Sequence, residues 1–294
     1  MQICKTATVI KTGAIIFLIA FAASCKKDSS SPVVLDASKQ QTVTNVLYGS
    51  DTAEKMDVYL PAGRSTSSTK ILVLVHGGSW DAGDKGDFNS AVDTLRILLP
   101  DYAFFNINYR LAVNGKNIYP AAINDVGLAL QFINKNAATY NVDTQKLVLG
   151  GASAGAHLAM LQAYSTTNSN LKAVVDLFGP TDLTWLYNNH PFPQLARPVL
   201  ENFLGVSLSQ NAALYASASP INYVSAAAAP TIIFHGNLDD VLPLEESQQL
   251  QYKLSALNVP NSFTVYNGEG HGWVGSNLTD TYLKIVAFLK LHVE

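Results

Sequence analysis

The stretch Lys146-Leu-Val-Leu-Gly-Gly-Ala-Ser-Ala-Gly-Ala-His-Leu-Ala-Met160 reads as a short apolar strand, a turn of small residues around Ser153, and a helix. Within it Gly151-Ala-Ser-Ala-Gly155 fits the G-x-S-x-G pattern of a nucleophile elbow. A strand that reverses sharply into a helix strains its middle residue and crowds the residues two positions to either side, so both of those positions call for glycine. The turn lifts the serine Oγ clear of the sheet. The Ala154 N–H, opening the helix, faces any negative charge that forms beside it. By composition such a pattern arises by chance on the order of 0.1 times in a chain of this length, so its surroundings carry the weight. Gly155 is followed by Ala156-His157 rather than by Lys and Ser or Thr, which sets a phosphate-binding loop aside.

Outward from the elbow, strand-like and helix-like segments alternate. Ile71-Leu-Val-Leu-Val75 is a continuous apolar run suited to a buried central strand. Strands follow at Tyr102–Asn108, Ala173–Leu177, Thr231–Phe234 and Phe263–Tyr266, after an opening antiparallel pair at Thr42–Tyr48 and Met56–Leu60. Pro120 and Pro243 each stand where a helix begins, and a closing helix carries Tyr282, Ile285, Val286 and Leu289. The pattern predicts an α/β fold with a mainly parallel sheet of about eight strands flanked by helices. One connection is too long for a simple crossover. The insertion at 181–229, with Trp185, Tyr187, His190 and Phe192, serves either as part of a lid or pocket, or as structural padding.

Three further motifs fall where an elbow serine needs them. His76-Gly77-Gly78-Ser79-Trp80 follows the run at 71–75 directly. Attack by Ser153 on a carbonyl creates an oxyanion, and a glycine-rich turn brings backbone N–H donors close to it; Gly78, Ser79 and Ala154 are the expected donors. His76 is expected to brace this loop, and Trp80 to form a pocket wall or a core residue. His235-Gly-Asn-Leu-Asp239-Asp240 follows a later strand, so an acid there can orient a histidine. Asp239 fits the spacing, with Asp240 and then Asp182 as rivals, while His235 packs at the strand end. Glu269-Gly-His271-Gly-Trp273 follows the last strand, and glycines on both sides free His271 to reach between acid and serine. The order Ser153, Asp239, His271 is that of an α/β-hydrolase triad.

The front end differs in character. Lys5 and Lys11 precede the apolar run Ala14–Ala23, which ends at Ser24-Cys25. A basic start, a short apolar core and small residues describe a secretory signal over residues 1–24, too short to span a bilayer. Ala22-Ala-Ser-Cys25 resembles the lipobox of bacterial lipoproteins, whose cysteine becomes the lipidated first residue; an ordinary signal peptide is the other reading. Cys4 is the one other cysteine, and it lies in the removed segment. Loss of Lys5 and Lys11 leaves 17 basic residues against 22 acidic, a formal charge of −5. No basic excess points to nucleic acid. Residues 25–41 read as a polar tether and 42–294 as the folded domain, held to a membrane through the lipid on Cys25 and facing the periplasm or the cell surface.

From Met56-Asp-Val-Tyr-Leu-Pro61 to the C-terminus the chain resembles the α/β-hydrolase carboxylesterases, in particular the hormone-sensitive-lipase-like and bacterial feruloyl/acetyl esterase-type groups. Besides the triad and oxyanion motifs, the resemblance rests on Gly83-Asp-Lys85, Asn108-Tyr-Arg-Leu111, Tyr119-Pro-Ala-Ala-Ile-Asn-Asp125 and Ala218-Ser-Pro220. It implies serine ester hydrolysis through an acyl-enzyme on short-chain or aryl esters, acetyl or feruloyl groups of polysaccharides among them, with no metal and no organic cofactor. It also implies an Arg110–Asp125 pair serving as scaffold. Ser79 departs from the third glycine common in such loops. Two other readings stand: a formamidase-type amide hydrolase, to whose elbow Ser153–His157 is similar, and an inactive hydrolase fold serving as a surface binding protein.

Overall fold

The computed structural model describes residues 35–166 and 170–294. The expected signal segment, Cys25 and the expected tether up to residue 34 lie outside the described residues. Eight strands form one sheet: β1 Gln41–Leu47, β2 Lys55–Leu60, β3 Lys70–Val75, β4 Tyr102–Ile107, β5 Leu147–Ala152, β6 Leu171–Leu177, β7 Thr231–Gly236 and β8 Asn261–Tyr266. Their spatial order is β1-β2-β4-β3-β5-β6-β7-β8. The β1–β2 and β2–β4 pairs are antiparallel and the remaining pairs parallel. The helices are α1 Asn89–Leu98, α2 Ala121–Lys135, α3 Ala137–Tyr140, α4 Ala154–Ser165, α5 Leu183–Asn189, α6 Pro193–Leu204, α7 Ala212–Ser217, α8 Leu244–Ala256 and α9 Gly275–His292. No helix among the described residues is long and apolar enough to cross a membrane.

The unbroken apolar runs of the central strands are explained by cover on both faces. Side chains alternate across a strand, so Ile71, Val73 and Val75 of β3 join one core with Phe105 and Ile107 of β4 and Leu149 of β5. Leu72 and Leu74 join the opposite core with Phe104 and Val148. The first core is closed by Val126 and Ala129 of α2, Leu158 of α4 and Leu250 of α8. The second is closed by Val92 and Leu95 of α1 and Ile285 and Leu289 of α9. The expected fold is therefore present, with Pro120 and Pro243 capping α2 and α8.

Residues 35–41, expected as the end of the tether, pack in the same compact unit as the domain that follows. Leu35 packs against the core, the amides of Gly63 and Arg64 donate to Ala37 O at 2.8 and 3.2 Å, and the Arg64 guanidinium donates to Lys39 O at 2.7 Å. The polar composition of 35–41 hid this, because the bonds that fix the segment are made by its backbone.

Register brings the functional loops together. Val75 pairs with Gly151, Ala152 with Leu177, Leu177 with Phe234 and Gly236 with Tyr266. The residues just beyond these strand ends therefore line one edge of the sheet. The chain runs from β3 outward to β4 and returns on the other side of β3 as β5, so the crevice for a ligand opens between the loops after β3 and β5.

Candidate active site

Ser153 occupies the turn between β5 and α4 with φ +52° and ψ −124°. This is left-handed backbone for a residue with a Cβ, and it persists only because the surroundings fix it. The two elbow glycines supply the room. A Cβ on Gly151 would meet the backbone of Gly155, and one on Gly155 would be driven into the carbonyl oxygens of Val75 and His76. The Ser153 amide donates to Leu177 O at 2.9 Å, which ties the elbow to the end of β6.

The loop after β3 arrives from the other side. A Cβ on Gly77 would lie 3.3 Å from the Cβ of Ser153, so this loop passes directly against the serine. Gly78, Ser79 and Trp80 all have positive φ, at 107°, 53° and 62°. Among the described residues, the amides of Gly78, Ser79 and Ala154 donate to no protein acceptor. His76 does brace the loop. It is buried, stacks on Tyr109 at 4.4 Å and contacts Gly77 O at 2.7 Å, and burial lowers its pKa. Trp80 proves to be both things expected of it. It is buried and stacked on Phe203 at 4.3 Å, and it also lines the cavity beside Ser153.

Nδ1 of His271 lies 2.7 Å from Oδ2 of Asp239, while Oδ1 of that carboxylate accepts from the amides of Val241 and Leu242, both at 2.9 Å. Burial by itself would raise the Asp239 pKa. Hydrogen bonds from His235 and His271 outweigh it and hold the carboxyl well below its usual range. Asp240 is exposed and Asp182 caps α5 by accepting from Thr184 N and Trp185 N, so neither rival reaches the histidine. His235 packs at the strand end as expected, and its Nε2 also stands 3.3 Å from Asp239 Oδ2. The loop Gly270-His-Gly-Trp-Val-Gly275 spells G-x-G-x-x-G. It follows the last strand with no βαβ unit after it, so it is no dinucleotide loop.

Phe178 was not singled out in the sequence. It follows β6 at φ +46°, and its ring meets His271 at 4.6 Å and Trp273 at 5.4 Å. Ser153 bonds to Leu177 and His271 packs on Phe178, so elbow and histidine meet the same turn. The Gly179-Pro180 that follows marks a turn but not what it touches. His157 is fully buried, receives the Trp80 Nε1–H at 3.2 Å and contacts Ala218 O at 2.7 Å through Nε2. Burial pushes its pKa down to about 4. The expected Arg110–Asp125 pair is present at 2.6 Å, with Glu54 at 3.4 Å from the same guanidinium.

The insertion is split in its role. Leu186, His190, Leu195, Val199 and Leu200, from α5, α6 and their link, wall a cavity of about 240 Å³ that also touches Ser79, Trp80, Ser153 and Ala154. Tyr215 of α7 and Ala218 instead belong to the core against α4.

A strained serine, a glycine-rich loop against it and an acid–histidine pair lie at one sheet edge, and the BD-FAE family model matches residues 56–254. The chain belongs to the BD-FAE family. It is 27% identical over 244 residues to esterase LipC of Mycobacterium tuberculosis, covering 78% of this chain and 59% of LipC. Over 252 residues it is 23% identical to the isoprenylcysteine alpha-carbonyl methylesterase ICME of Arabidopsis thaliana, covering 79% of this chain and 57% of ICME. It thus spans little more than half the length of these relatives. Among solved structures, the bifunctional GH43-CE protein of Bacteroides eggerthii aligns with a TM-score of 0.74 at 28% identity, over 85% of this chain and 38% of that one. A truncated carbohydrate esterase from gut microbiota aligns at 0.73 and 23%, over 87% of this chain and 98% of that one. The α/β-hydrolase fold and the esterase kinship expected from the motifs both hold.

Proposed function

We propose that this protein is a serine carboxylic-ester hydrolase in which Ser153, His271 and Asp239 carry out two-step acyl transfer. The observation that carries this reading is the left-handed backbone of Ser153 between β5 and α4, a strain that a plain strand-to-helix turn does not require. His271, oriented by Asp239, takes the Ser153 proton as Oγ attacks the ester carbonyl. The N–H groups of Gly78, Ser79 and Ala154 receive the oxyanion. His271 then gives its proton to the departing alcohol. In the second half it removes a proton from water, which attacks the acyl-enzyme and frees the acid and Ser153.

A cavity of about 240 Å³ walled by leucine and valine suits a short acyl or aryl group better than a long chain. Acetyl or feruloyl esters of polysaccharide are the substrate class proposed. Ester hydrolysis is favoured over the formamidase reading because the relatives LipC and ICME are an esterase and a methylesterase. Export and lipidation at Cys25, proposed from the N-terminal motif, would tether the enzyme where such polymers are met. Metabolic labelling with a fatty-acid probe, beside Cys25→Ser, tests that part.

Fluorophosphonate labelling read by intact mass tests the chemistry. A single adduct on the wild type and none on Ser153→Ala is expected, with hydrolysis of p-nitrophenyl acetate and then of acetylated xylan or methyl ferulate. A folded wild type that takes no label would point to a binding role instead.

A further inference from the structure

His190 is a buried polar side chain in the link between α5 and α6, outside the triad and the oxyanion loop, and both of its ring nitrogens are engaged. Nδ1 accepts from the Phe192 amide at 2.9 Å. Nε2 is 3.0 Å from Val241 O, which can only accept, so the ring carries its proton on Nε2. Phe192 is the N-cap of α6, whose Leu195, Ala196 and Val199 line the cavity beside Ser153. Val241 faces the other way. Its amide donates to Oδ1 of Asp239, the carboxylate whose Oδ2 holds His271. One imidazole therefore joins the wall of the substrate cavity to the loop that fixes the triad acid, through the Val241 carbonyl, whose peptide partner Leu242 N–H donates to Asp239 Oδ1 as the Val241 N–H does.

We infer that His190 is a positioning residue with two separable tasks: its Nε2–H sets the acid loop, and its Nδ1 sets the cavity wall. This rests on the hydrolase reading above. A loop that loses the Nε2 bond leaves Val241 free to drift, and the Asp239–His271 geometry loosens with it. That is a loss felt in the transition state, hence in kcat. An α6 start that loses the Nδ1 bond loosens the wall against which substrate is held, a loss felt equally before and during reaction, hence in KM.

The two tasks are separable by substitution, since an Asn amide reaches about as far as Nδ1 and a Gln amide about as far as Nε2. His190→Asn keeps an acceptor for Phe192 N and drops the Val241 bond. His190→Gln keeps a donor for Val241 O and drops the other. With p-nitrophenyl acetate, His190→Asn should lose about tenfold or more in kcat with KM within about twofold of wild type, and His190→Gln the reverse. His190→Ala should show both losses. Melting temperature and the fraction labelled by fluorophosphonate accompany each variant, so that misfolding is counted separately. Asn and Gln variants with the same kinetic profile, or kinetic losses that only follow the folded fraction, would overturn the assignment while leaving the hydrolase reading intact. A wild type that neither turns over nor labels would overturn that reading and this one together.

Discussion

Asp239 and Asp240 are adjacent in sequence and opposite in circumstance: one carboxylate is buried 2.7 Å from His271, the other is exposed. Asp239→Asn should lower kcat by about 10³–10⁴-fold, since an amide can present its N–H₂ to Nδ1 and trap the wrong tautomer. Asp240→Asn should stay within about threefold of wild type. Steady-state rates on p-nitrophenyl acetate decide it, and a larger loss at Asp240 would reassign the acid.

Two glycine-to-alanine changes should move stability in opposite directions. Gly155→Ala drives a methyl into the carbonyls of Val75 and His76 and should cost more than about 4 kcal/mol, read as loss of soluble protein or of the thermal transition. Gly127 lies within α2, and a Cβ there would meet Gln162 Oε1 at an ordinary 3.5 Å. Gly127→Ala should stabilise by about 0.5–1 kcal/mol. Denaturant midpoints compare the two.

Burial pushes the Glu246 carboxyl up to about 7, although Thr181 N and Asp182 N donate to its Oε2 at 2.6 and 2.8 Å. The folded pKa thus lies above the unfolded one. Between about 4.5 and 7 the folded state binds more protons than the unfolded, so this group's contribution to stability is full below that window and falls as pH rises through it. Its share is on the order of 3 kcal/mol. Asp176, likewise raised to about 7 by burial, acts in the same direction. Glu246→Gln should flatten, without abolishing, the fall in melting temperature between pH 5 and 8. An unchanged slope would mean that Glu246 is ionised in the fold.

The cavity beside Ser153 should set chain length. Acetyl and butyryl p-nitrophenyl esters should turn over faster than octanoyl or longer ones. Val199→Phe, filling part of the wall, should raise KM for butyrate more than for acetate. Preference for long chains would place the acyl group elsewhere.

Local signals were legible because local physics writes them. An elbow needs glycine at 151 and 155 whatever surrounds it, and an oxyanion loop needs glycine at 77 and 78. Apolar runs such as Ile71–Val75 announce a strand covered on both faces. From these the chain alone carried the fold, the order of Ser153, Asp239 and His271, and the loops that present them. It favoured Asp239 over Asp240 by spacing alone. Burial, which makes that choice physical, came from His235 of β7, His271 and the turn at 237–242 closing around one carboxylate. Packing in three dimensions settled where the insertion goes, that Phe178 packs on His271, and that His190 links Phe192 to Val241. Those contacts join residues up to 93 positions apart through packing and single hydrogen bonds, which leave no periodicity in the chain for a reader to find.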